Sequence, residues 1–198
     1  MTILKIAGNG NEIQLVRLCK RGSTKAQFKL YKLYSKAMFN IAVRMTNNSE
    51  LAEDILQDAF IKAFSDIARL KDERAFGGWL KRIVINRCID VMRKERFFIK
   101  NLEIVSDRHF EITDEVNEEF DPEIVHHFIK KLPEGARQIL VMRALEGYKH
   151  AEIGEQLGVS ESTVKTQFFR AKQLLGKMIS EANENENRKI FRTEQIKA

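Results

Sequence analysis

Of the 198 residues, 43% are hydrophobic and only 10 are Gly and 2 Pro, which excludes a loop-rich, collagen-like or wholly disordered chain. The formal charge of +6 favours an anionic partner without saying which polyanion. Cys19 and Cys88 stand apart, with no CxxC pair, so neither a disulfide framework nor a zinc site is expected and a reducing cytoplasm fits.

The opening MTILKIAGNGNEIQ lacks the long apolar stretch of a secretory signal. No run anywhere approaches the roughly 20 apolar residues of a membrane helix. A soluble cytoplasmic protein is expected, with residues 1–19 as an N-terminal segment. From Lys20 to Arg96 basic residues outnumber acidic ones roughly two to one, and apolar residues recur at helical spacing. Runs of alternating β-branched residues between turn dipeptides are absent. The fold class is therefore all-α, with residues 20–96 as a first small helical domain.

Within that domain two helices carry faces that burial alone does not explain. At about 100° per residue, Leu51, Ala52, Ile55, Leu56, Ala59 and Ala63 share one side and should be core. Glu50, Glu53, Asp54, Gln57 and Asp58 lie opposite, together with Ile61 and Phe64. A merely solvated face rarely mixes acids with two large apolar side chains, whereas a surface that docks on a basic protein does. An acidic amphipathic helix with ordinary exposed hydrophobes is the plainer alternative.

The second helix runs from Trp79 to Lys94. Its core stripe is Ile85, Cys88, Ile89 and Met92. Trp79, Arg82, Asn86 and Arg93 fall in a narrow arc on another side, flanked by Arg87, Asp90 and Lys94. Arginines supply phosphate contacts, an Asn amide reads a base edge, and an aromatic ring receives an unstacked base. The preceding loop, LKDERAFGGWL, contains Gly77-Gly78, which permits a close backbone approach or an unusual turn. Together they suit a clamp for single-stranded DNA, unless Trp79 is simply core and the arginines solvated.

From Phe97 to Glu123 the charge balance reverses, and this stretch reads as an acidic linker with some local structure around Phe97–Val105. Asp121-Pro122 is a helix-start signal. A second domain, 124–180, contains the most specific pattern, YKHAEIGEQLGVSESTVKTQFFRAKQLL. A helix over about Lys149 to Leu157 should end at Gly158, and Ser160 should cap the next. Val164, Phe168, Ala171 and Leu175 form its inner stripe, while Ser162, Thr166, Phe169, Arg170 and Gln173 face away with Lys165 at the edge. This is a helix-turn-helix whose second helix would enter a major groove. A polar tail, 181–198, should be frayed.

Taken together these segments resemble the bacterial sigma factor family, specifically its extracytoplasmic-function class, over about Leu15 to Ile179. Ala52–Phe64 looks like the family's core-binding helix, and Phe76–Lys94 like its promoter-melting segment, with W-L-x-R-I-x-x-N-x-x-x-D at Trp79, Leu80, Arg82, Ile83, Asn86 and Asp90. Leu132–Leu175 looks like the domain that reads the minus-thirty-five element. Nothing between the units resembles the middle domain of housekeeping members, and the N-terminus is short for their autoinhibitory region.

The resemblance implies a non-enzymatic initiation subunit without cofactor or metal, working with core RNA polymerase, promoter DNA and an anti-sigma factor. Its implied contacts with the clamp helices of the polymerase's largest subunit are Glu53, Asp54, Gln57, Asp58, Phe60, Ile61 and Phe64. Those with the minus-ten element are Trp79, Arg82, Asn86, Arg87, Asp90, Arg93 and Lys94, with the loop between Ala68 and Trp79 taking a flipped base. Those with the minus-thirty-five element are Ser160, Ser162, Thr163, Lys165, Thr166, Phe169, Arg170 and Gln173. The linker, by the same resemblance, threads the RNA exit path.

Two other readings compete. A one-component regulator would use the same helix-turn-helix on duplex DNA but needs a sensor or dimerisation domain, for which no pocket is visible. A metal hydrolase would need His109, His126, His127 and His150 to converge, yet His126 and His127 point about 100° apart on a helix and lack partners at ligand spacing.

Overall fold

The computed structural model describes residues 10–94 and 127–196, with side chains described over 10–93 and 127–182. The linker 97–123, the stretch Phe97–Val105, Asp121-Pro122, His109, His126 and the side chain of Lys94 lie outside the described residues. The chain divides into two units, Met1–Phe97 and Phe98–Ala198. Among the described residues there are helices and no strand, as the all-α reading requires.

The first unit begins one helix earlier than its sequence suggests. Helix α1, Gly10–Lys20, packs on α2, Thr24–Thr46, and buries Glu12, Val16 and Cys19. Residues 10–19 therefore belong to this domain rather than to a separate N-terminal segment. Helix α1 turns Val16 and Cys19 inward and uses a buried carboxylate, Glu12, as well. Tyr34 Oη of α2 donates to Glu12 Oε1, which satisfies both groups away from water. Gly22, at φ +84°, turns the chain, and Ser23 Oγ accepts from Ala26 N at 3.3 Å to cap α2.

Helix α2 buries Ala26, Leu30, Tyr34, Met38, Ile41, Ala42 and Met45, a stripe at spacings of three and four. Asn47, at φ 56°, ends it in the left-handed region, and Asn48 Oδ1 accepts from Leu51 N at 3.1 Å to start α3, Ser49–Asp66. Two tight helical turns, Ile67–Arg69 and Glu73–Ala75, lead into α4, Phe76–Lys94. Its Phe76, Leu80, Val84, Ile85, Cys88, Ile89 and Met92 close the core against α2 and α3. Each such side chain stabilises the fold by about 1.5–3 kcal/mol through burial. Gly77 is where backbone meets ring: a Cβ there would stand 2.9 Å from Cε1 and Oη of Tyr34. Of the two glycines, Gly77 makes the close approach, while Gly78 faces open space.

Both cysteines are free and buried. Burial pushes the Cys19 thiol up to about 11 and that of Cys88 up to about 12.

The second unit is built around α5, Glu134–Leu140, which widens into one π turn over Val141–Leu145. Helices α6, His150–Leu157, and α7, Glu161–Ile196, pack on one another. Ile129, Leu132, Ile139, Met142, Ile153, Leu157, Val164, Ala171, Leu175 and Ile179 form its core. Arg137 is buried among them; its Nη1 donates to Leu132 O at 3.2 Å, and burial lowers its pKa against the opposing pull of Glu134. The backbone of α7 is helical to Ile196. Nothing beyond Gly176 breaks a helix, and Lys177 and Glu181, four residues apart at 3.9 Å, add a favourable pair.

Candidate protein-docking and nucleic-acid faces

Three outward faces carry the expected site residues. On α3 the side chains of Glu53, Asp54, Gln57 and Asp58 are exposed, and Ile61 among them is 59% exposed. Phe64 is half-buried. Phe60 is a correction: it is 3% exposed and belongs to the core, not to a docking surface. It follows Ala59 and lies one turn after Leu56, so α2 covers it. Its ring meets Tyr31 edge-on at 4.9 Å, and Phe64 leans on it at 5.7 Å.

On α4, Arg82, Asn86, Asp90 and Arg93 are exposed, and Trp79 and Arg87 half-exposed. Trp79 is neither pure core nor a free platform. Its ring rests 6.1 Å from Phe76, which in turn meets Tyr34 at 5.4 Å, so one edge of the indole is held while another faces out. Arg87 Nη2 donates to Asp58 Oδ2. A cation expected to hold DNA and an acid expected to dock on protein are thus joined to each other in this structure. Residues twenty-nine apart in sequence meet here because α3 and α4 pack side by side.

The helix-turn-helix is assembled from contacts within a few residues. Gly158, at φ 73°, ends α6, and Gly158 N and Val159 N both donate to Gly154 O, at 2.8 and 3.0 Å. Gly154 is required by the packing of the turn, since a Cβ would lie 2.8 Å from Val159 O. Ser160 Oγ accepts from Thr163 N at 3.1 Å and lies 2.8 Å from both Ser162 Oγ and Thr163 Oγ1. Thr166 Oγ1 donates to Ser162 O at 3.0 Å, and Lys165 pairs with Glu161 at 2.8 Å, a bond that lowers the Glu161 pKa. Ser162, Lys165 and Thr166 are exposed; Thr163, Phe169, Arg170 and Gln173 are half-buried.

Beside this turn the His150 ring sits 5.6 Å from Phe168, and its Nε2 is buried without a hydrogen-bond partner among the described residues. Burial first, then Arg143 and Lys165, hold its pKa below the ordinary 6.5.

The periodicity gave no sign of what holds the loop before α4. Lys20 Nζ, at the end of α1, donates to Leu70 O at 2.6 Å and to Glu73 Oε1 at 2.8 Å. Arg17 Nε lies 3.9 Å from the other Glu73 oxygen. Lys20 foremost lowers the Glu73 carboxyl below its usual range. Only a count of cations against acids across fifty residues could have hinted at the pairing.

Known proteins share both units. The family model described as Sigma-70 region 2 matches residues 30–98, and that described as Sigma-70, region 4 matches residues 123–175. The chain is 27% identical over 179 residues to an RNA polymerase sigma-H factor of Pseudomonas aeruginosa, covering 84% of this chain and 92% of that one. It is 28% identical over 176 residues to the ECF RNA polymerase sigma factor SigW of Bacillus subtilis, covering 83% and 94%. Among solved structures, the sigma factor RpoE in complex with the anti-sigma factor NepR from Bartonella quintana aligns with a TM-score of 0.51 at 19% identity, over 77% of this chain and 95% of that one. At that identity the likeness supports the fold.

Proposed function

Because the chain belongs to the sigma-70 family, in its extracytoplasmic-function class, and is a sigma factor that binds core RNA polymerase, directs it to promoters and helps open the minus-ten region, we propose how its faces divide that work. Residues 20–96, extended by α1, are the polymerase-binding and melting domain, and residues 124–180 are the upstream reader.

The α3 face anchors on core polymerase through Glu53, Asp54 and Gln57 with Ile61 and Phe64, and Asp58 serves it while bracing Arg87. Ile61 carries this reading: an apolar side chain 59% exposed among acids is of little use to a one-component regulator but suits a protein partner. The α7 face, from Ser160 to Gln173, grips duplex DNA at the minus-thirty-five element. That fixes the first unit over the minus-ten element, where Arg82, Asn86, Arg87, Arg93 and Lys94 hold the strand, Asp90 supports the face and Trp79 offers its ring. Unstacking a base costs a few kcal/mol, and a protein pocket in the loop before α4 offsets it.

Opening is thus driven by binding, and the protein is not an enzyme. Its place is the cytoplasm, where the polymerase works; no helix among the described residues is long and apolar enough to cross a membrane. An anti-sigma factor, named with the structural relative, is the proposed regulator. Co-purification with core polymerase, followed by run-off transcription on a genomic promoter pool, tests the whole scheme. Stoichiometric binding with new specific transcripts is expected. Tight binding to intact duplex by the protein alone, without polymerase, would overturn it.

A further inference from the structure

Two points of the loop before α4, the Leu70 carbonyl and the Glu73 carboxylate, are tied to a helix that lies outside the matched stretch 30–98. Lys20 reaches from the last turn of α1 across fifty residues. Its ammonium donates at 2.6 Å to the carbonyl of Leu70, which closes the Ile67–Arg69 turn, and at 2.8 Å to the carboxylate of Glu73, which opens the Glu73–Ala75 turn. The two side chains are only 23% and 22% exposed, so solvent and salt screen the pair less than an open surface bridge.

The base on which the ammonium stands is rigid. Val16 and Cys19 of α1 are buried, and Glu12 is fixed by the Tyr34 hydroxyl. Leu70 itself is 7% exposed. Between the two tied points only Lys71 and Asp72 remain, and both are exposed. Asp72 Oδ1 accepts from Arg74 N at 3.0 Å and from Arg74 Nε at 3.2 Å, which sets the far side of the same tip. The loop is therefore a short exposed rim held from below chiefly by Lys20, with Arg17 Nε 3.9 Å from the other Glu73 oxygen.

We propose that Lys20 is a positioning residue for base selection at the minus-ten element: by tying Leu70 O to Glu73 it sets the spacing of the Lys71–Asp72 rim that receives the unstacked base. This rests on the reading of that loop as the base-receiving segment. The ammonium touches no DNA. Its effect passes through the aperture of the rim, so losing it widens the set of bases accepted more than it weakens the polymerase.

The test uses holoenzyme reconstituted with the full chain and run-off transcription over promoters randomised in the minus-ten element and, separately, in the minus-thirty-five element. Lys20→Met keeps the stem and removes the charge. It should reduce discrimination among minus-ten bases about fivefold, leave minus-thirty-five preference unchanged, and be rescued by Lys20→Arg, which restores a donor to both acceptors. Glu73→Gln, which keeps the Leu70 bond, should show a smaller change and carries the test if Lys20→Met does not fold. A double variant of the rim, Lys71→Ala with Asp72→Ala, tests the underlying reading. If the rim variant alters minus-ten preference while neither Lys20→Met nor Glu73→Gln does, or if these lower transcription equally on every sequence, the brace is overturned. If the rim variant leaves the preference profile intact, the reading of the loop falls and the proposal with it.

Discussion

The helix-turn-helix and the α4 face are both proposed to meet DNA, yet they are held together in opposite ways. Ser160, Ser162, Thr163, Lys165 and Thr166 are arranged by bonds to residues two to four positions away. The α4 face takes its shape from other helices: Arg87 is held by Asp58 of α3, and Trp79 is backed through Phe76 by Tyr34 of α2. Local assembly makes a unit that presents the same face whatever else is bound. Tertiary assembly joins the face proposed to hold the strand to the helix proposed to dock on polymerase, through the Arg87–Asp58 pair.

The sharpest way to separate the two is to damage the docking helix alone. Asp54→Arg should weaken binding to core polymerase at least about 100-fold by placing a cation against a basic surface, while circular dichroism and the melting curve stay unchanged. Normal holoenzyme assembly in that variant would refute the anchor. Gly154→Ala comes next: its Cβ would press on the Val159 carbonyl, destabilising the second unit by about 1–3 kcal/mol. Denaturant unfolding should show the loss in that unit and leave the first unit's transition in place; a shared shift would show that the units are not independent.

Arg170→Ala should weaken binding to the upstream element about tenfold, read by mobility shift on holoenzyme, without altering base preference at the minus-ten element. A changed minus-ten profile would break the division of labour. Ser160→Ala removes the α7 cap and should lower stability of the second unit by about 1 kcal/mol, measurable by urea midpoint.

The smallest effect is a pH slope. His150 resists protonation when folded, whereas the unfolded chain takes up a proton near 6.5. Its contribution is therefore full above 6.5 and declines as pH falls below it. His150→Gln should flatten that part of the melting-temperature profile, and an unchanged slope would assign it elsewhere.

What sequence alone could show follows the same contrast. The turn at Gly158 and the cap at Ser160 depend on residues next to one another, and both were legible. So was the inner stripe of α4, because Ile85, Cys88, Ile89 and Met92 repeat at helical spacing. Phe60 enters the docking set only through the family resemblance, whereas α2 covers it in the core, a closure that helical angle alone does not show. The Asp58–Arg87 pair and the Lys20 contacts join distant positions whose charges look like any other solvated charges until the helices pack. Helix α1 is hard to see in the sequence because it buries Glu12 where a hydrophobic residue would announce a core face.

The two buried thiols carry a last consequence. Burial raises the pKa of both Cys19 and Cys88 and shields them from solvent, so both thiols react slowly with thiol reagents in the folded first unit. A cysteine introduced on an exposed face can therefore be labelled selectively, without removing the native pair.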